Sequence, residues 1–304
     1  MNVTELASGL RFPEGPVALA NGDVLVVEIA RGTLSRVRPD GRVEVVAEPG
    51  GGPNGAAMGP DGACYLCNNG GFVWHERGGR LFPGDAPEDY SGGRIERVDL
   101  ETGDVDVLYT HCDGRPLCGP NDLVFDGHGG FWFTDHGKTR DRVRDRTGVF
   151  YARADGSAIA EVIFPLEGPN GIGLSPDGST LYVAETPTGR CWAWDLAGPG
   201  RLAGERADRP DGGRLLPAPP GYHLYDSLAV DGAGRVCVAT LIRGGITVID
   251  PTKGTAEHRA FDDVLTTNVC FGGPELRTAF VTLSTTGRLV STTWDEPGLR
   301  LAHG

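Results

Sequence analysis

Six stretches of the chain share one hydrophobic rhythm. Each opens on a turn signal and runs into a strand with alternating or continuous apolar positions. These are DVLVVEI after Asn21-Gly22, ACYLCNN after Asp61-Gly62, GGFWFTD after Asp126-Gly127, STLYVAE after Asp177-Gly178 and RVCVATL after Asp231-Gly232, with a weaker RTAFVTLS after Gly273-Pro274. A period of two beside Asn-Gly or Asp-Gly reads as antiparallel β-structure. Most of these strands lead into another that starts on Gly or Arg, such as GTLSRVRPDG, GRIERVDL, GVFYARADG and GRLVSTTW. Further strands at 43–47, 105–109 and 161–164 complete the units. Helical periodicity is nearly absent, which excludes the α/β classes.

A four-stranded antiparallel unit recurring about every 50 residues is the pattern of a propeller blade. The expectation is therefore all-β: a six-bladed β-propeller of four-stranded antiparallel blades around a central channel, with residues 1–304 as a single domain. The last unit, at 266–294, shows only three strands. A strand at 3–7 would supply its fourth, sealing the ring and hiding a sheet edge. Three inserts break the period, at 72–93, 138–147 and 198–222, and loops of that length read as lids or binding loops.

Composition narrows the function classes. The net charge of −13 argues against a nucleic-acid or anionic-membrane surface, since phosphate binding needs clustered Lys and Arg. The N-terminal MNVTELASGLRFPEG has no basic segment followed by an apolar run, and no stretch approaches the roughly 18 apolar residues of a membrane span. A cytoplasmic protein is expected, monomeric or a small homo-oligomer, with no nucleic-acid or membrane partner. The 7 cysteines read as reduced thiols. Cys64 and Cys67 form a CxxC, but within a strand positions three apart face opposite sides. Cys112 and Cys118 share a loop, and a free pair is expected there.

The polar residues just before each turn carry the candidate chemistry. They are Glu14, Asn54, Asn121 with Asp122, Asn170, Asp226 with Ser227, and Asn268. Glu14, Asn54 and Asn170 stand seven positions before Asn21, Asp61 and Asp177, whereas Asn121 and Asp226 stand five before Asp126 and Asp231. In a propeller the innermost strands line the channel, so a shared phase places these side chains at one level of it. Taken singly, Asn54-Gly55 and Asn170-Gly171 read as turn dipeptides. Taken together, a ring of carboxylate and amide oxygens calls for a cation, and oxygen-only donors favour Ca²⁺, Mg²⁺ or Mn²⁺.

These motifs resemble a known family. FPEGPVALANGDVLVVEI, GPNDLVFDGHGGFWFTD, PNGIGLSPDGSTLYVAET, DSLAVDGAGRVCVAT and TTNVCFGGPELRTAFVT, in this order, are similar to the senescence-marker-protein, gluconolactonase and luciferin-regenerating-enzyme family, which includes regucalcin and bacterial sugar lactonases. The resemblance covers about residues 10–290. It implies one divalent cation in the channel, with Ca²⁺ favoured and Mg²⁺, Mn²⁺ or Zn²⁺ as alternatives. It implies Glu14, Asn170 and Asp226 as ligands, and Asn121 as a ligand or a substrate contact. Regucalcin-like members carry an Arg two positions before that asparagine. This chain has Gly119 there, so that contact is either missing or supplied by Arg115. VAETPTGRCWAWDLAGP resembles the related diisopropyl fluorophosphatase, and GGFWFTD the staphylococcal-type lactonases.

The expected function is metal-dependent hydrolysis of a small lactone. Asp226 is the expected proton acceptor and Asp122 the second candidate, with Asn121, Asn54 and Asn268 orienting the substrate. Arg115, His136, Tyr225, Lys138 and His223 are candidate contacts at the channel mouth. No GxSxG signature is present. Two other readings use the same residues: a phosphotriesterase acting at phosphorus, and a calcium-binding propeller without catalysis.

Overall fold

The computed structural model describes residues 2–204 and 211–304. Among these residues there is no α-helix. Six antiparallel sheets stand as blades I to VI around a channel. Their innermost strands are Pro13–Ala18, Pro53–Met58, Pro120–Phe125, Pro169–Leu174, Leu224–Val230 and Thr266–Gly272. Each packs beside the innermost strand of the next blade, and the sixth returns to the first. Closure comes from Val3–Ala7, which pairs antiparallel with Arg288–Thr293 and sets Val3 opposite Thr292.

The core is divided among the blade interfaces. Leu25, Val27 and Leu34 of blade I meet Cys64, Leu66 and Val98 of blade II in one buried cluster. Trp132, Val149 and Ile163 of blade III meet Leu181, Val183 and Trp194 of blade IV in another. The blades are covered on both faces, so second strands such as Val24–Glu28 and Gly130–Asp135 read as near-continuous apolar runs and are buried along their length. Cys64 faces blade I and Cys67 faces blade III, on opposite sides of one strand. All the cysteines are free thiols.

The inner turns keep a stricter phase than the sequence suggested. Eight positions after the channel-facing residue of each blade stands a residue with positive φ: Gly22 (89°), Gly62 (78°), Gly129 (78°), Gly178 (68°), Gly234 (79°) and Leu276 (55°). Asp126-Gly127 and Asp231-Gly232 thus sit two residues earlier in their turns than Asp61-Gly62 does. The five-residue spacings reflect where Asp-Gly falls in the turn, not a shorter strand.

The strand directions sort the inserts between the two ends of the channel. Innermost strands start at the end where second strands finish, for Pro13 lies opposite Glu28. Connections from second to third strands therefore lie at this mouth, which places 72–93 and 138–147 there. The insert at 198–222 begins at the opposite end, as a connection from third to outermost strand, and reaches the mouth only after Arg214–Leu215. Its residues 205–210 lie outside the described residues.

Candidate active site at the channel mouth

Every innermost strand breaks its ladder where the candidate residues stand. The register shifts between Glu14 and Val17, Pro53 and Ala56, Pro120 and Leu123, Pro169 and Ile172, Tyr225 and Leu228, and Thr266 and Asn268. A bulge re-aims a side chain out of the alternating pattern, and here it does so six times at one level. In four blades a proline opens the strand, at a position where its missing N–H costs least.

The glycines that follow have a packing reason. A Cβ on Gly15 would lie 2.6 Å from the Asn54 carbonyl oxygen, and one on Gly55 would lie 2.4 Å from that of Asn121. One on Gly171 would lie 2.5 Å from the Leu228 nitrogen. Asn54-Gly55 and Asn170-Gly171 are therefore not turn dipeptides. They lie within strands, and glycine lets the next blade come close.

Carboxylates and amides interlock at this level. The Asn268 amide donates to Glu14 Oε2 at 2.7 Å, as does the Gly15 N–H at 2.7 Å. Across the channel the Asn170 amide donates to Asp226 Oδ1 and, at 3.0 Å, to Thr186 Oγ1, while Ser227 donates to Asn170 Oδ1 at 3.3 Å. Asp122 accepts from the Leu123 N–H at 2.9 Å. Asn54 is buried at the same level. Asn121 Oδ1 is buried with no hydrogen-bond partner.

Burial raises the pKa of Glu14, Asp122 and Asp226, and neighbouring carboxylates add to the rise in the last two. Burial pushes Glu14 up to about 7. Burial and then the nearby Glu14 push Asp122 up to about 8. Burial, Glu14 and Asp122 hold Asp226 well above the usual carboxylate range. Among the described residues, no Lys or Arg forms an ion pair with any of the three. Crowded carboxylates beside an unpaired amide oxygen fit a hard cation. Among the described residues, no three His, Cys, Asp or Glu side chains group as a metal site. A cation here would rest on amide oxygens as well as carboxylates.

The remaining candidates separate. Arg115 is 80% exposed and lies 3.9 Å from Glu161 on the outermost strand of blade III, away from the channel. Tyr225 is fully buried in the cluster between blades IV and V, so its ring belongs to the core. His136 does lie at the mouth, but its Nε2 is 2.7 Å from Arg144 Nη2, and burial with Arg144 and Lys138 nearby pushes its pKa down to about 3. Lys138 is buried, donates to Asn69 Oδ1 at 2.9 Å and to the Gly71 carbonyl at 2.5 Å, and has its pKa lowered by burial to about 7. His223 packs on Tyr225 with ring centroids 4.8 Å apart.

One set of positioning residues escaped the sequence reading. The last residue of four second strands accepts from the backbone just ahead of the neighbouring innermost strand. Glu28 takes the Arg11 N–H (2.7 Å), Asn68 that of Gly52 (2.8 Å), Asp135 those of Cys118 and Gly119 (both 2.7 Å) and Glu185 that of Glu167 (2.8 Å). These buried acceptors fix where the channel strands of blades I to IV begin. The signal was present in the polar ends of VVE, LCN, FTD and VAE, inside otherwise apolar runs.

Comparison with known proteins gives the class of molecule. A family model described as the SMP-30/gluconolactonase/LRE-like region matches residues 12–285, and the chain belongs to that family. Among individual relatives, a gluconolactonase of Zymomonas mobilis is 28% identical over 214 residues, covering 63% of this chain and 54% of that protein. The lactonase drp35 of Staphylococcus saprophyticus is 29% identical over 231 residues, covering 75% of this chain and 63% of that protein. The matches thus span less than two thirds of either relative. In fold the chain is similar to a regucalcin from Agrobacterium tumefaciens described as a calcium-binding protein, with a TM-score of 0.72 at 19% identity and coverage of 96% of this chain and 95% of the other.

Proposed function

We propose that this protein is a divalent-cation-dependent hydrolase of small lactones. The observation that carries the reading is the mouth itself, where buried Glu14 and Asp122 and half-buried Asp226 stand at one level with an amide oxygen of Asn121 that has no partner. The lactonase and gluconolactonase relatives favour a lactone, and the calcium-binding regucalcin favours Ca²⁺. Glu14, Asn121, Asn170 and Asp226 would hold the ion, which would supply Lewis-acid polarisation of the lactone carbonyl.

The chain's own groups do the rest. Asn268 fixes the carboxylate of Glu14, and Asn170 fixes that of Asp226. Asp226 is only half-buried, so it faces the lumen and takes the proton from the attacking water. Asp122 lies close enough to share charge with Asp226 and is the second acceptor. Asn54 completes the polar ring that orients the substrate.

The test is a lactone panel, with an organophosphate fluoride added, assayed with Ca²⁺, Mg²⁺, Mn²⁺ or Zn²⁺ after chelation. Expected are lactone turnover that chelation abolishes and a kcat loss of about 10³-fold in Asp226→Asn with the fold intact. Cation binding without turnover of any lactone would refute the reading. Turnover confined to the phosphorus substrate would replace it with a phosphotriesterase.

A further inference from the structure

The two inserts at the mouth differ in kind. The hairpin of Trp74–Arg77 with Arg80–Pro83 grows from blade II, yet its Leu81 N–H donates to the Thr285 carbonyl of blade VI at 3.0 Å, and Leu81 packs with Phe12 and Ile29 of blade I. The insert at 138–147 is basic. It holds five Lys and Arg against two Asp, in a chain of net charge −13. Its short hairpin pairs Thr139–Arg140 with Val143–Arg144 and leans on the first insert, whose Ala86 N–H donates to the Thr139 carbonyl at 3.0 Å.

Most of this positive charge is already engaged. Arg140 pairs with Asp145 at 3.1 Å and Arg146 with Glu167 at 4.0 Å. Arg142 sits in the exposed turn of the hairpin, and buried Lys138 donates to Asn69 and Gly71. Arg144 is different. It is half-buried, and among the described residues no carboxylate lies within ion-pair reach of it. Glu167 and Asp145 act on it only from further away, and burial lowers its pKa. Its Nη2 donates to His136 Nε2 at 2.7 Å and to the His136 carbonyl at 3.3 Å. Its Nη1 has only a 3.5 Å contact with Thr139 Oγ1, and its Nε has no partner.

This guanidinium stands beside the candidate cation ligands. A Cβ on Gly168 would lie 2.9 Å from Arg144 Cζ, so the group rests against backbone two residues before Asn170. His136, which orients it, donates its own N–H to the Gly119 carbonyl at 2.8 Å, two residues before Asn121. A guanidinium only donates, so His136 Nε2 accepts and the neutral ring carries its hydrogen on Nδ1, which is also buried without a partner. A partly desolvated cation without a counter-ion is costly, and an incoming anion offsets that cost.

The geometry points to a lactone bearing a carboxylate, which Arg144 holds at the mouth between blades III and IV while the ring reaches the level of Asn121, Asn170 and Asp226. This rests on the lactone-hydrolase reading and adds the substrate class. Arg144 is the specificity-determining residue. One planar guanidinium, in a fold whose described residues include no helix to present its N-terminus, suits two carboxylate oxygens better than a phosphate dianion.

The experiment compares kcat/KM for 5-oxotetrahydrofuran-2-carboxylate and its carboxamide on the Ca²⁺-loaded full chain, with 6-phospho-D-glucono-δ-lactone against D-glucono-δ-lactone as a phosphate pair. The carboxylate is expected at least about tenfold ahead of the carboxamide. Arg144→Gln brings that ratio to about one, chiefly through KM, and Arg144→Lys restores part of it. Arg146→Gln, which removes an exposed charge nearby, leaves the ratio unchanged. A ratio within about twofold, or one that survives Arg144→Gln or falls equally in Arg146→Gln, overturns the proposal. So does a preference confined to the phosphate pair. Calorimetric binding of 5-oxoproline, the lactam of the same acid, separates this proposal from the hydrolase reading. Binding weakened about tenfold by Arg144→Gln, with no lactone turned over, would support the anion site and end the hydrolase reading. Turnover of neutral lactones with no preference for the carboxylate would do the reverse.

Discussion

Replacing Gly55 with alanine tests the packing that aims the site. The new Cβ would meet the Asn121 carbonyl oxygen at 2.4 Å, the Asp122 Cα at 2.7 Å and Asp122 Oδ1 at 3.0 Å. Two of these three atoms are backbone, so no rotamer change relieves them. The φ of Gly55 is not positive, so backbone strain plays no part. Restoring ordinary contact requires the blade III strand to move by roughly 1 Å. That strand is held from the far side, where Thr134 Oγ1 bridges the Asp122 N–H at 3.2 Å and the Asn170 carbonyl at 2.6 Å. Overpacking of this kind costs about 1–3 kcal/mol, and the rigid backbone neighbours put Gly55→Ala at the upper end. A shift of about 1 Å in Asn121 and Asp122 should also lower kcat/KM by about 10²-fold. Urea unfolding followed by tryptophan fluorescence gives the first quantity, and lactone kinetics the second. Gly62→Ala is the comparison. Its φ is 78° and no atom would lie within 4 Å of a Cβ, so it should cost about 1 kcal/mol with kinetics unchanged. Were Gly55→Ala to cost under about 0.5 kcal/mol and leave kcat/KM within about twofold, the close-approach argument would be wrong.

Two further outcomes follow from the same ring. Leu276 holds the left-handed turn position that glycine fills in the other blades, so Leu276→Gly should stabilise the protein by about 1 kcal/mol and raise Tm by about 2 °C; an unchanged or lower Tm in calorimetry counts against it. Chelated protein should become less stable as pH rises. Glu14 near 7 and Asp122 near 8 keep protons that the unfolded chain releases near 4.5 and 3.8, so stability present at low pH is lost between about 4.5 and 8. Between pH 5 and 8 the loss should be about 6 kcal/mol, roughly 2.5 from Glu14 and the rest from Asp122, read as urea midpoints in EDTA. Asp122→Asn should flatten that slope, and an unchanged slope would show that burial does not hold the Asp122 carboxyl protonated.

The blade repeat was legible because each blade is buried on both faces, which writes its second strand as a short apolar run beside a turn. Cys64 and Cys67 facing opposite sides followed from strand geometry alone. The channel-facing set was legible for a similar reason, since Glu14, Asn54, Asn121, Asn170, Asp226 and Asn268 interrupt apolar strands at a fixed distance from a turn. What stayed hidden depends on neighbours distant in sequence. Gly55 and Gly171 look like turn glycines until the adjoining blade is present. Tyr225 adjoins Asp226 yet faces the core, because the bulge turns one side chain inward and leaves the next between blades. Arg115 lies five residues from Pro120, but its short hairpin carries it to the rim. Nothing in the insert at 72–93 announced that it would reach Thr285.

The pairing of Val3–Ala7 with Arg288–Thr293 also sets an order of events during synthesis. Val3–Ala7 is made long before the strand it pairs with. Until some 285 further residues have left the ribosome, Val3–Ala7 has no sheet to join, while the sheets of blades I to V can each form from local chain. The strand Arg288–Thr293 then arrives beside an N-terminal segment that has been waiting, and a single long-range pairing turns an open row of sheets into a circle. An N-terminal fusion that occludes residues 3–7 should therefore leave most blades formed but the circle open. The consequence would be felt at the mouth, where Asn268 of the last blade must meet Glu14 of the first.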